Sequence, residues 1–195
     1  MKARLNGVEL YVETQGDGGP TVILVHGSRG DHHTWDAVQP LLARSCRVTA
    51  YDRRGHGQSE QSSVHGMRED AADLAALIEQ LTKTPVHVVG NGVGATVVLL
   101  LVIERPELFA SVAVHEPNPR SLDVERLASY GGPLLMTHGD QSPPSVIEML
   151  DEISDALPRT QRYIFRRAGD APHVTHPDDF ELVVGSFIRG VAGAA

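Results

Sequence analysis

The residues best suited to chemistry in this sequence lie in a glycine-rich turn between a strand-like run and an apolar helix-like run. The stretch from Val86 to Thr96 satisfies G-x-G-x-x-A, the pattern of dinucleotide-binding turns. In such a turn a pyrophosphate lies at the N-terminus of the helix, and Glu116 follows where a ribose-binding acid is expected. That pattern normally opens its domain, however, whereas here much of the predicted sheet precedes it.

Several histidines also fall at predicted strand ends or in loops, where side chains able to move protons or bind ligands are often found. They are His26, His115, His138 and His173. Each also has a structural interpretation, because a histidine can simply hold a turn in place. No two histidines have the H-x-x-x-H spacing of metal ligands on one helix face, so we expect no metal site and no cofactor.

The elements that must position these residues alternate between short strands and amphipathic helices. The predicted strands are Val8–Thr14 (an edge strand), Thr21–Val25, Cys46–Tyr51, Val86–Val89, Ser111–Val114, Pro133–Met136 and Arg162–Phe165. The predicted helices are Trp35–Leu42, Met67–Leu81, Ala95–Glu104, Ser145–Leu157 and Pro177–Ile188. This alternation predicts one α/β domain over residues 1–195, with a mostly parallel central sheet flanked by helices.

Five motifs in this order resemble the α/β-hydrolase fold superfamily along nearly the whole chain. They are His26-Gly27, the D-x-R-G-x-G-x-S turn at Asp52–Ser59, the turn at Gly90–Gly94, Val114–Pro117 and Thr175–Phe180. The combination is specific, although each motif alone is weak. It replaces the dinucleotide interpretation.

The resemblance also predicts where a catalytic triad would stand, and the chain departs from it. In that family a serine occupies the centre of the G-x-S-x-G turn, but here that position is Gly92, which has no side chain to attack with. The acid position falls on Asp140. The histidine position falls on Asp170, and His173 replaces it only if the loop is remodelled. Gly92 is either native or an engineered replacement of a serine.

Although two triad positions are replaced, the resemblance still implies an oxyanion hole and a pair of acids in this chain. Backbone N–H groups near Gly27 or Ser28 and at Val93 are expected to point at one spot beside a helix N-terminus, which would favour an anion, and His26 belongs to the adjoining His-Gly turn. Asp140 and Asp170 are expected to face each other, which would raise the pKa of one of them and make it a proton donor. His115 and His173 are further candidate proton-transfer residues.

A helical cap usually covers the site in that family, but only a short segment separates Pro117 from Pro133 here. We therefore expect the cap to be essentially absent and the cleft to accept a bulky small-molecule substrate. A homodimer in which the partner acts as a lid is left open.

Composition excludes several classes of protein. The net charge is −8, which argues against a nucleic-acid partner. The longest apolar run, Val97–Ile103, is too short for a membrane span, and the N-terminus lacks the apolar core of a signal peptide. The single cysteine, Cys46, suits a reducing cytoplasm.

Three functions follow from these observations. The main expectation is an enzyme that performs non-hydrolytic acid–base chemistry on a carbonyl compound, as a lyase, isomerase or cyclase. The second is an esterase-type hydrolase that uses water or an unrecognised nucleophile, or whose serine was replaced. The third is a non-catalytic pseudo-hydrolase that binds a ligand or a protein partner.

Overall fold

Eight strands form one sheet in the computed structural model, which describes residues 1–118, 122–157 and 159–194. The strands are β1 (Lys2–Leu5), β2 (Val8–Gln15), β3 (Thr21–Val25), β4 (Arg47–Tyr51), β5 (Val86–Asn91), β6 (Phe109–His115), β7 (Leu134–Gly139) and β8 (Gln161–Phe165). Their order across the sheet is β1-β2-β4-β3-β5-β6-β7-β8. The predicted α/β architecture is confirmed.

The sheet is parallel from β4 through β8 in spatial order, whereas β1 and β2 pair in the antiparallel direction. The central strands are apolar on both faces because helices cover both faces, as in Val22–Val25, which is fully buried. The interpretation of Val8–Thr14 as an edge strand is wrong. The hairpin partner β1 covers it on one side, and β4 lies on the other.

The helices are α1 (Gln39–Leu42), α2 (Met67–Leu81), α3 (Val93–Glu104), α4 (Val124–Leu127), α5 (Pro144–Ala156), α6 (Pro172–Thr175), α7 (Pro177–Phe180) and α8 (Ser186–Ala192). A π-helical segment, Glu181–Gly185, joins the last two. The helix predicted over Trp35–Leu42 divides into a 3-10 turn at His32–Trp35 and α1. Within the described residues, no helix has both the length and the apolar character needed to cross a membrane.

Two apolar clusters lie on opposite faces of the sheet. One packs α2, α3 and α5 against strand residues such as Ile23 and Val25. The other packs Trp35 and the C-terminal helical segment against Val22 and Leu24. Because side chains alternate along a strand, both clusters draw on the same short strands, and the strand ends are held firmly from both sides.

The turn after β4 is tied to α2 by two buried ion pairs. Arg53 Nη1 donates to Asp70 Oδ2 at 2.5 Å, while Arg54 donates twice to the Asp73 carboxylate, each time at 2.7 Å. The buried Arg54 side chain therefore holds this turn in place. The two ion pairs hold the turn after β4 in place beside the other loops at the carboxyl ends of the strands.

No cap domain is evident among the described residues. Between β6 and β7 they contain α4, a helix of four residues. The carboxyl ends of β3, β5 and β6 therefore meet loops of modest length, and the site is built there.

Candidate active site

The turn between β5 and α3 has the backbone geometry of a sharp elbow. Gly92 has φ 55° and ψ −118°, a region that residues with a Cβ rarely adopt. Its N–H donates to the carbonyl of His115 at 2.9 Å, and its own carbonyl accepts from the Thr96 N–H at 3.1 Å. A Cβ at Gly92 would meet only the Gly27 Cα, at 4.0 Å. The position thus has space for a side chain, although its backbone is strained for one.

The two flanking glycines are needed for close packing. A Cβ at Gly94 would come within 2.3 Å of the Val25 carbonyl oxygen, and a Cβ at Gly90 within 2.7 Å of the Ala95 Cα. Real Cβ atoms do not approach backbone this closely. α3 therefore presses directly onto β3 and β5.

A cavity of about 480 Å³ opens at this elbow. Its walls, which define the elbow pocket, are Gly27, Ser28, Arg29, Gly30, Thr34, Asn91, Gly92, Glu116 and Asp170. A second cavity of about 380 Å³ shares Ser28 with it and includes Val93 and Met67. The predicted residues Gly27, Ser28, Gly92 and Asp170 are therefore brought together, and Val93 lies next to them.

Glu116 is a pocket residue that the sequence analysis considered only as a ribose-binding acid. It directly follows β6 with φ 48°, a left-handed conformation that aims its side chain across the end of β7. Its Oε1 accepts hydrogen bonds from Ser142 Oγ and, at 3.4 Å, from the Gly139 N–H. Its place at the end of the strand beside β5 was the feature that could have identified it.

The Glu116 carboxylate is held in its ionised form. Burial alone would raise the pKa of Glu116, but hydrogen bonds from His115 and Ser142 outweigh burial and lower it. Glu116 therefore supplies a fixed negative charge at the pocket wall.

Asp140 does not join Asp170 in this structure. Its side chain is exposed, it lies outside the wall of the elbow pocket, and no contact links it to Asp170 among the described residues. At this end of β7 the Gly139 N–H donates to Glu116 Oε1 at 3.4 Å, and the Asp140 N–H donates to the Phe165 carbonyl at 2.9 Å. The structure thus brings Asp170, and not Asp140, into the wall of the elbow pocket.

His115 is buried behind the pocket. Its Nε2 lies 3.1 Å from the Gly169 carbonyl and 3.4 Å from Glu116 Oε1. Because both neighbours are acceptors, Nε2 is the ring nitrogen that carries the hydrogen. Its Nδ1 lies 2.9 Å from Thr137 Oγ1. His115 thus positions Glu116 and the loop that carries Asp170, instead of facing the pocket.

His26 and His173 are also buried, beneath the pocket. The His26 Nε2 accepts from the Arg53 N–H at 3.0 Å, and burial, reinforced by the Arg53 charge, lowers the pKa of His26 to about 4. His173 stacks on Trp35 with ring centroids 4.4 Å apart, and its Nε2 lies 3.2 Å from Thr34 Oγ1. Burial lowers the pKa of His173 to about 3. Both imidazoles are therefore neutral, and neither lies in the pocket wall.

These two histidines predict a pH-dependent stability. Below pH 6.5 the unfolded chain binds protons at both side chains and the folded chain does not, until the pH reaches their folded pKa values of about 4 and about 3. We expect each histidine to remove about 1.4 kcal/mol of unfolding free energy per pH unit below 6.5. Urea titrations between pH 7 and 4.5 should show that the unfolding free energy falls less steeply with decreasing pH in His173→Phe than in the wild-type protein. The exposed His65→Gln should keep the wild-type slope, and an unchanged slope in His173→Phe would contradict the assignment.

One group of potential metal ligands occurs in the described part of the chain: Asp31, His32 and Asp52. Its atoms are already engaged, because Asp52 Oδ1 accepts from the His32 N–H at 2.6 Å and Oδ2 from the Gln58 N–H at 2.7 Å. Asp31 in turn caps the His33 N–H at 2.9 Å. The group is explained as a brace between two loops.

Comparison with known proteins agrees with the α/β fold of the structure. Residues 20–129 match the family described as alpha/beta hydrolase fold. The uncharacterized hydrolase YraK of Bacillus subtilis is 34% identical over 114 residues, which cover 57% of this chain and 42% of YraK. Esterase Rv0045c of Mycobacterium tuberculosis is 28% identical over 156 residues, covering 78% of this chain and 52% of the esterase. The chain thus spans about half or less of the length of these relatives.

A solved structure of a thermophilic esterase from Thermogutta terrifontis has a TM-score of 0.85 at 19% identity, and the match covers 98% of this chain and 97% of that one. At that identity the likeness shows the fold alone. The sequence relatives carry the names hydrolase and esterase, and they overturn the expectation of lyase, isomerase or cyclase chemistry. The prediction of a non-hydrolytic enzyme is wrong.

Proposed function

The chain belongs to the α/β-hydrolase fold family, and from that premise we propose that it hydrolyses an ester-type carbonyl substrate by direct attack of water. The observation that carries this proposal is that the carboxylates of Glu116 and Asp170 line the same pocket as the strained elbow at Gly92. Two acids beside an open backbone turn can hold and activate water. The hydrolase and esterase names of the sequence relatives support the reaction class.

Water takes the place of a serine because the catalytic triad is degenerate in this proposal. Gly92 stands at the nucleophile position, and the space beside it is open. Asp170 stands at the histidine position and lines the elbow pocket. The absence of both the usual nucleophile and the usual base favours a water molecule held above Gly92.

Asp170 is the general base. Its side chain is exposed in the pocket and forms no ion pair with a described residue, so its oxygens are free to accept a proton. Water attacks the carbonyl carbon while Asp170 takes one water proton, and the tetrahedral oxyanion forms. The oxyanion then collapses, the bond to the leaving group breaks, and the protonated Asp170 returns its proton to that group.

The oxyanion is stabilised by backbone N–H groups. The first turn of α3 leaves the N–H of Val93 without a partner inside the helix, as every helix start does. With the N–H of Ser28 or Gly27 on the opposite wall, it forms the oxyanion hole. The short connection between β6 and β7 leaves the site uncapped, which suits a bulky substrate.

Substitution of Asp170 by asparagine is expected to lower kcat by about 100-fold or more, because a positioned base contributes about 10² to 10⁴ in rate. Asp140→Asn is the matched control, since it removes an exposed acid outside the pocket. Initial rates on the preferred substrate measure both variants. An equal loss in Asp140→Asn would contradict a role confined to Asp170, and full activity in Asp170→Asn would refute a base at residue 170.

The reaction class is tested with a panel of aryl esters, thioesters and lactones in ¹⁸O-labelled water. Single-turnover products should contain one labelled oxygen in the acid, and intact-mass spectra should show no acyl adduct on the protein. An adduct would reveal a protein nucleophile and contradict direct water attack. No turnover across the panel would contradict the hydrolase itself.

The burial of the histidines away from the pocket favours a second candidate, a protein that binds acyl compounds without turnover. His26, His115 and His173 are all buried and outside the pocket wall. A binding protein would hold non-hydrolysable ester analogues tightly, show no turnover, and keep that affinity in Asp170→Asn.

A further inference from the structure

Among the described residues that line the elbow pocket, Arg29 is the cationic one, and it forms no ion pair with a described residue. The two arginines of the neighbouring turn differ in this respect. Arg53 is paired with Asp70 and Arg54 with Asp73, and both arginines are buried. The guanidinium of Arg29 is therefore available to a ligand that enters the pocket.

Arg29 also stands close to the proposed reacting centre. It follows Ser28, which contributes to the proposed oxyanion hole, and neighbouring Cα atoms are about 3.8 Å apart. Because Arg29, Gly92 and Asp170 line the same cavity of about 480 Å³, an anion held by the Arg29 guanidinium would share that cavity with the scissile carbonyl. The planar guanidinium binds a carboxylate through two parallel hydrogen bonds, which gives direction as well as attraction.

We propose that the substrate carries a carboxylate in its acyl part, a few bonds from the scissile carbonyl, and that Arg29 binds it. This inference rests on the hydrolase proposed above. The pocket wall holds two acids, Glu116 and Asp170, which repel an anionic substrate unless a cation compensates. The Glu116 carboxylate accepts hydrogen bonds from Ser142 Oγ and the Gly139 N–H, which offset part of its negative charge. Arg29 therefore remains free to bind the charge of the substrate.

The test compares two esters of equal length, mono-p-nitrophenyl glutarate and p-nitrophenyl valerate, after subtraction of the rates in buffer. The wild-type protein should prefer the glutarate ester in kcat/KM by about 10-fold, the value of one charged hydrogen-bonded pair. Arg29→Gln should abolish this ratio, whereas Arg29→Lys should keep part of it. Arg44→Gln, which removes an exposed arginine outside the pocket, is the control and should leave the ratio as it is.

Binding of the free acids separates this inference from the proposed function. Glutarate should perturb the amide NMR signals of Gly27 to Gly30 at lower concentration than valerate does, and Arg29→Gln should remove the difference. If glutarate binds in this way but neither ester is hydrolysed, the carboxylate site stands and the hydrolase fails. If both esters are hydrolysed with a ratio that Arg29→Gln does not change, the carboxylate site is refuted. Failure of both readouts overturns the two proposals together.

Discussion

Replacing Gly92 by serine and Asp170 by histidine in one protein is expected to raise ester turnover by about 100-fold or more over either single change. A nucleophile and its base act as a unit, so each alone contributes little. The pocket accepts the change because a Cβ at Gly92 meets only the Gly27 Cα, at 4.0 Å, and Asp170 lines the same pocket. The ionised Glu116 supplies the carboxylate that such a histidine needs.

The measurements are p-nitrophenyl butyrate hydrolysis and covalent labelling by a fluorophosphonate, read by intact mass. Only the double variant should be labelled rapidly. The positive φ of Gly92 strains the serine by about 1–3 kcal/mol, so circular dichroism must show that the variant is folded. Gly92→Ser with Asp140→His is the matched control and should stay unlabelled. A folded Gly92→Ser/Asp170→His protein without labelling would show that these positions do not form a triad.

Removal of the Asp73 carboxylate is expected to cost about 3–5 kcal/mol of unfolding free energy. The side chains of Arg54 and Asp73 are only 5% and 1% exposed, so Asp73→Ala leaves a buried cation without its partner. Asn6 Nδ2, which donates to Asp73 Oδ1 at 2.9 Å, loses its acceptor as well. Urea unfolding followed by fluorescence of Trp35 gives the change.

Glu79 provides the matched control within the same helix. It also pairs with an arginine, Arg105, at 2.9 Å, but the two side chains are 52% and 43% exposed. Solvent screens such a pair, so Glu79→Ala should cost no more than about 1 kcal/mol. Similar losses for Asp73→Ala and Glu79→Ala would contradict the buried role of Asp73.

Most of the fold could be predicted because its causes are local. Strand residues such as Val22–Val25 are apolar in an unbroken run, and the helix at Met67–Leu81 has apolar residues on one face. The strand at Lys2–Leu5 was missed because its four residues alternate too briefly to indicate a strand, whereas its pairing with β2 and the burial of Ala3 and Leu5 in the core are tertiary. The 3-10 turn at His32–Trp35 depends partly on a tertiary hydrogen bond, which the His32 N–H donates to Asp52 Oδ1, in addition to the local cap in which the His33 N–H donates to Asp31 Oδ1.

The site was predicted less completely, because motif spacing locates a backbone position but not the direction of a side chain. Gly92 and Asp170 both line the elbow pocket, since each follows the end of a strand. Asp140 also follows a strand, yet its side chain is exposed and lies outside the pocket wall, while Glu116 from the neighbouring strand lines it. Arg29 and Thr34 lie in a loop that lines the pocket, and no sequence pattern specifies the course of that loop.

The three glycines of the elbow differ in what they allow in the descendants of this sequence. Residues 90 and 94 are locked, since any added carbon would collide with backbone at 2.7 Å and 2.3 Å. Residue 92 faces open space and is limited only by its φ. Mutation at this turn therefore exchanges the reactive group and leaves the architecture that presents it unchanged. A lineage with this turn is able to lose its nucleophile and regain it without rebuilding the fold.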